Sequence, residues 1–400
     1  MRLAAAVAAG LLALHANAIA QQPAPSAPGA SSTFRQLSAQ ALAARDAQQL
    51  DRAVPLFRKA LALKPGWAEG WWSLGTISYD ASRYAEAAAA FRRVTALAPK
   101  QGTARTMLGL CEFELGRDTA ALADIEAGKK LDVAQDPQLR GVVLFHEGEL
   151  LRRAGRYHSA QLPLASLCLE GVRSQDLVVT FGMAALRMRD TPPAAGSDAF
   201  QIIQLVGRGA CLTAQKDYDQ ARANFESAIA KAPTNPDVYD AYGESRLDAH
   251  DLAGAIAAFQ HELALAPLSV LPRLRIAAAD YKVDSAAGLP YAEQAVHIAP
   301  TLPFAHYLLG LLLVDTGAYA RAIPHLEIAR KAFPTDARID LSLGSAYAQV
   351  GRLKDAARAR ERFVRLTRDA QKSQGSPPDS NSNDAAPIEV TDGAVNGPGK

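Results

Sequence analysis

The chain has 400 residues, 49% hydrophobic and 21% charged, and its 43 basic and 41 acidic side chains leave a formal charge of +2. This composition excludes a chain disordered throughout, and the balanced charge offers no basic footprint for a phosphate backbone, so nucleic acid is not expected as a partner. After the N-terminal apolar run no segment approaches about 20 uninterrupted apolar residues, which argues against a membrane-spanning helix.

In chain order, the first element reads as a targeting signal. Arg2 precedes an apolar run from Leu3 to Leu14, and Ala18-Ile19-Ala20 fits a small-x-small cleavage site. Residues 1–20 are therefore expected to be a signal peptide, and QQPAPSAPGASST at 21–33 a disordered Pro/Ala/Ser linker. The expectation is an exported protein, periplasmic or extracellular in a bacterium. Cys111, Cys168 and Cys211 are too few for a disulfide framework and read as small buried hydrophobes, with a disulfide or redox role as the alternative, the odd count leaving at least one free.

From residue 34 the chain repeats itself with a period of 34. Trp71, Leu74, Gly75, Ala87, Phe91 and Pro99 set the pattern, and Ala53, Phe57, Ala60 and Pro65 carry it upstream. Downstream it returns in Leu108, Gly109, Gly116 and Ala121, then after an insertion in Gly148, Gly155, Tyr157 and Ala160. It resumes in Gly209, Tyr218, Ala221 and Phe225, then in Tyr239, Gly243, Ala255 and Phe259. A shortened unit with Ala295 and Pro300, a clear one with Leu309, Gly310, Gly317 and Ala322, and a last one with Leu343, Gly344, Gly351 and Ala356 complete the series.

This spacing resembles the tetratricopeptide repeat, W-x2-L-G, A-x3-F, P, with Ser78 standing where the family usually has Tyr. The resemblance implies an all-α fold, a right-handed α-solenoid of stacked antiparallel helix pairs whose first helices line a concave groove. Four units are expected over 34–174 and five over 202–370. Between them, at 175–201, VVTFGMAALRMR supplies a first helix, but TPPAAGSD stands where its partner should be. An unpaired helix and a seam are expected there, and residues 371–400 are read as a disordered tail.

No catalytic constellation stands out, so the expectation is a protein that is not an enzyme, with no cofactor, metal or small-molecule substrate. His146-Glu147 and His261-Glu262 lack the second His that would put two zinc ligands on one helical face. Gly243-Glu244-Ser245-Arg246-Leu247 lacks the closing Gly of a nucleophile elbow.

The family's ligands lie in the groove, at the second, fifth, ninth, twelfth and thirteenth positions of each unit. Those positions give Trp72, Tyr79, Phe113 and Phe145 early and Tyr281, Phe304 and Tyr307 late, an aromatic lining suited to an extended peptide. Trp71 is expected on the packed side, Trp72 in the groove and Trp67 at the rim. Asp237, Asp240, Glu244 and Asp248 share one helical face by their spacing, to be compensated either by Arg273, Arg275 and Lys282 or by a cationic partner. The expected function is a non-catalytic scaffold that binds a protein or peptide segment, in envelope assembly or secretion. The alternative is an accessory subunit of a cell-envelope enzyme or glycan-modifying complex. Any membrane contact would come through partners, and the residues do not specify an oligomeric state.

Overall fold

The computed structural model describes residues 28–131, 137–281 and 283–374. The expected signal peptide, Lys282 and the tail from Gly375 onward lie outside those residues. The described residues form nineteen α-helices and no strand.

They divide into two compact units, one reaching to Ala184 and including Met188–Thr191, the other comprising Ala185–Arg187 and the chain from Pro192 onward. In the first unit, α1 (Pro28–Asp46) pairs with α2 (Leu50–Leu63), α3 (Ala68–Asp80) with α4 (Tyr84–Leu97), α5 (Gly102–Glu114) with α6 (Asp118–Lys129), and α7 (Pro137–Arg153) with α8 (Tyr157–Leu169). Helix α9 (Gln175–Ala185) follows, with no helix between it and α10 (Asp198–Ala214). In the second unit α10 pairs with α11 (Tyr218–Lys231), α12 (Pro236–Asp248) with α13 (Leu252–Leu265), and α14 (Leu271–Asp280) with α15 (Ser285–Ile298). Two more hairpins follow, α16 (Pro303–Asp315) with α17 (Tyr319–Ala332), and α18 (Ala337–Gln349) with α19 (Leu353–Gln374). Within each unit the second helix of one hairpin packs on the first helix of the next, as in α4 on α5 and α17 on α18, so each unit is a stack of helix pairs.

A small residue on each first helix makes the pairing possible. A Cβ built at Gly75 would lie 2.9 Å from the ring of Phe91, and one at Gly209 would lie 2.7 Å from that of Phe225. Gly109 with Ile125, Gly148 with Leu164, Gly243 with Phe259 and Gly310 with Leu326 repeat the arrangement at the same separation along the chain. The partners Phe91, Phe225, Phe259, Ile125, Leu164 and Leu326 are all buried, so the close approach is what lets each hairpin bring a large apolar side chain out of water, a gain of roughly 1.5–3 kcal/mol per side chain. In the first hairpin Ala41 takes the glycine's place, in the same core cluster as Phe57.

The turns inside the hairpins recur as regularly. Gln48, Ser82, Gly116, Gly155, Lys216, His250, Gly317 and Gly351 each stand two residues past the end of a first helix, with φ between +56° and +81°. The left-handed residue reverses the chain and lets the next amide reach back five residues, as from Arg83 N to the Ser78 carbonyl at 2.8 Å and from Asp251 N to the Arg246 carbonyl at 2.9 Å. Side-chain caps reinforce the second unit, where Asp217, Asp251 and Asp284 accept from the first-turn amides of α11, α13 and α15.

Two boundaries differ from the sequence expectation. Helix α1 begins at Pro28, within the stretch read as linker: proline has no N–H to leave unpaired in a first turn, and its φ is already helical. Helix α19 runs to Gln374, past the limit of 370, because RDAQKSQ is built of adequate helix formers despite its low apolar content. Cys111 is buried and free, and burial pushes its thiol up to about 12, so it serves as a small apolar side chain.

Candidate interaction surface

In the first unit the structure places the three indoles differently from one another, and Trp72 differently from expectation. Trp67 caps the start of α3, stacked on Phe57 with ring centroids 5.6 Å apart and edge-on to Phe34 at 5.4 Å. Gly70 lies directly beneath it, where any Cβ would collide with the indole. Trp71 is only half-buried, and its Nε1 donates to the Pro65 carbonyl at 2.8 Å. Trp72 is 6% exposed, its ring edge-on to Phe91 at 5.4 Å within the core. Trp72, expected in the groove, is thus a core residue, while Trp71, expected on the packed side, packs only partly buried against the same cluster. A groove position can be roofed by the neighbouring hairpin, and one unit's spacing carries no information about that roof.

Tyr79 is likewise buried, edge-on to Tyr84 at 5.4 Å, and burial, helped by Glu114, pushes its hydroxyl far above its ordinary range. Phe113 and Phe145 are different, because both are half-buried. They flank His146 of α7 edge-on, at 4.7 and 5.6 Å. The buried His146 donates from Nδ1 to the Val142 carbonyl at 2.7 Å, and burial pulls its pKa below the ordinary value. Arg153, one turn from Glu149 on the same helix, lays its guanidinium over Phe113 at 4.7 Å while its Nε donates to Glu149 at 2.7 Å. Burial alone would raise the Glu149 carboxyl, but Arg152 and Arg153 together hold it below its ordinary value. The product is a partly open aromatic surface on the first helices α5 and α7, edged by a positioned cation.

Tyr281, Phe304 and Tyr307 in the second unit divide similarly. Tyr281 is half-buried at the end of α14, whereas Phe304 and Tyr307 are packed inside the core, 5.8 Å apart, with Arg338 over Tyr307 at 5.7 Å. Four of the seven expected groove aromatics, Trp72, Tyr79, Phe304 and Tyr307, are core residues and are unavailable as an open wall.

The acidic face of α12 is satisfied within the chain. Arg187, in the connector after α9, pairs with Asp237 at 3.3 Å and with Asp240, and Arg275 of α14 pairs with Asp240 and Glu244. Asp240 is 2% exposed and Arg275 side chain 4%, so the pair is an interior one, while Asp248 is exposed. Of the other expected counter-ions, Arg273 instead donates to the Ser269 and Pro267 carbonyls at 2.6 and 2.7 Å, and Lys282 lies outside the described residues. Arg187 has no sequence signal, because it sits in a stretch where the repeat is broken. Arg153 has a weak one, its spacing of four from Glu149.

Among the described residues no group of three or more His, Cys, Asp or Glu side chains is arranged to hold a metal ion, and no helix is long and apolar enough to cross a membrane. His261 stacks on Tyr239 at 5.4 Å, a packing role like that of His146.

A tetratricopeptide repeat profile matches residues 38–102, 79–138, 212–270 and 307–371, more than half of the chain. No curated protein sequence matches it. Among solved structures it is similar to MamA, at 21% identity over 41% of this chain and 96% of that one, with a TM-score of 0.38. It is similar also to YrrB, described as a TPR protein with an unusual peptide-binding site, at 16% identity over 44% of this chain and 92% of that one, with a TM-score of 0.38. Yeast Tom70 matches at 13% identity over 86% of this chain and 94% of that one, with a TM-score of 0.34. Superpositions this loose carry no argument about function. The phased spacing, the stacked hairpins and the extent of the profile match are sufficient for the family: the chain belongs to the tetratricopeptide repeats.

Proposed function

We propose that the protein is an exported, non-catalytic scaffold that holds a protein or peptide segment against its first helices, in envelope assembly or secretion. The observation that carries this reading is the half-buried pair Phe113 and Phe145 on neighbouring first helices, with Arg153 fixed beside them. Aromatic rings already held by packing cost little entropy to bury further, and an adjacent guanidinium gives a carboxylate or carbonyl of the segment a fixed partner.

Screening the full chain against a peptide array tests the reading. Retained peptides should bind on the order of tenfold more weakly to Phe113→Ala and to Phe145→Ala. Retention of no peptide, or binding indifferent to both substitutions, contradicts it. Export is tested separately by sequencing the N-terminus of the protein recovered outside the cytoplasm, which should begin at Gln21, whereas recovery with residues 1–20 attached counts against it.

A further inference from the structure

The outer face of α19 is left bare. In α11 and α13, each followed by another hairpin, Tyr218 and Ile229, and Leu252 and Leu263, are half-buried. Leu353 and Val364 hold the equivalent places on α19, which no described helix follows, and they are 70% and 50% exposed. By helical spacing Leu353, Ala357, Arg360, Val364 and Arg368 form one exposed stripe, bordered by Lys354, Glu361 and Arg365. Arg362, on the inner side, is held by Asp340 at 2.9 Å and by the Pro334 carbonyl at 2.7 Å, and Arg358 pairs with Asp355 at 2.6 Å. Arg360, Arg365 and Arg368 form no ion pair among the described residues. The bare face is therefore both apolar and cationic.

The chain that leaves α19 carries the complement. Between residues 379 and 392 it has Asp379, Asp384, Glu389 and Asp392 and no Lys or Arg, with Ile388 and Val390 among them. On an extended backbone Ile388, Val390 and Asp392 share one side, two apolar groups and a carboxylate to set against Leu353, Val364 and the arginines of the stripe. The reach suffices: Val364 lies about 15 Å back along the helix from Gln374, and the stretch from Gln374 to Ile388 can span more than about 40 Å. The tether also gives the segment a millimolar effective concentration. A second copy laid face to face would instead set cation against cation. We propose that the outer face of α19 is the docking site of the chain's own acidic segment, residues 384–392, which closes the open end of the second unit's stack.

Photo-crosslinking of the full chain from p-benzoylphenylalanine in place of Ala357, with adducts sized on a denaturing gel and mapped by peptide mass spectrometry, tests the assignment. The expected product is an intramolecular adduct to residues 384–392. Its yield should fall on the order of tenfold when Arg360→Glu is joined to Arg368→Glu, and equally when Asp384→Lys, Glu389→Lys and Asp392→Lys are joined; combining the two sets should restore it. The second set changes no residue of a described helix, so a loss there is not a defect of the repeat fold. An adduct to a second copy or to another part of the chain, no adduct, a yield indifferent to the reversals, or no recovery in the combined variant overturns the proposal.

Discussion

Trp72 and Phe113 show what decides whether a groove-position aromatic packs or binds. Both sit on first helices, but Trp72 is closed in against Phe91, while Phe113 keeps part of one face open beside Arg153. Trp72→Ala should cost about 3–5 kcal/mol as a large core truncation, and Phe113→Ala about 1–2 kcal/mol, read from denaturant midpoints. A variant retaining Trp72 as its sole tryptophan should resist quenching by acrylamide; free quenching would return that indole to the groove. Because all three tryptophans lie in the first unit, their emission follows that unit alone. It should also report His146, whose pKa burial depresses from 6.5. The unfolded chain takes up this proton first, so the first unit should lose stability as pH falls below 6.5, and His146→Asn should lose less over the same interval. An unchanged dependence in that variant would place the effect elsewhere.

At the scale of the element, much of the hairpin is legible in the sequence because its determinants are local. Gly75 and Phe91 belong to one helix pair, so their spacing is preserved whatever lies beyond it. Adding a methyl at Gly243 should cost about 1–3 kcal/mol, measured by urea unfolding, because it would collide with the rigid, fully buried ring of Phe259. The turns invite the opposite change. His250 holds φ +59° with a Cβ that Gly351 lacks in the equivalent place, so His250→Gly should stabilise by about 0.5–1 kcal/mol. A loss of stability there would mean that the imidazole has a role beyond the turn. What the sequence does not reveal is what roofs each first helix, since that depends on the next hairpin's side chains rather than on the helix's own pattern. The burial of Trp72, Tyr79, Phe304 and Tyr307 is decided at that level.

At the scale of the whole molecule, the repeat phase is readable over 34–174 and 202–370, but the contacts made where it breaks are not. Arg187 meets Asp237 across fifty residues, and Arg152 donates to the Met188 carbonyl at 2.6 Å across thirty-six, in a stretch with no repeat position to compare. The charge compensation of α12 is legible only in part: Arg275 of the next hairpin, expected from the sequence, pairs with Asp240 and Glu244, whereas Arg187 lies in the connector, where no repeat position points to it. The central claim, a family fold built by repeating one glycine-spaced hairpin, predicts a periodic pattern of protection. Hydrogen exchange resolved along residues 34–370 should show slow blocks coinciding with the nineteen helices, divided by fast turns at Gln48, Ser82, Gly116, Gly155, Lys216, His250, Gly317 and Gly351. Protection spread without that period, or slow exchange running through those turns, would contradict it.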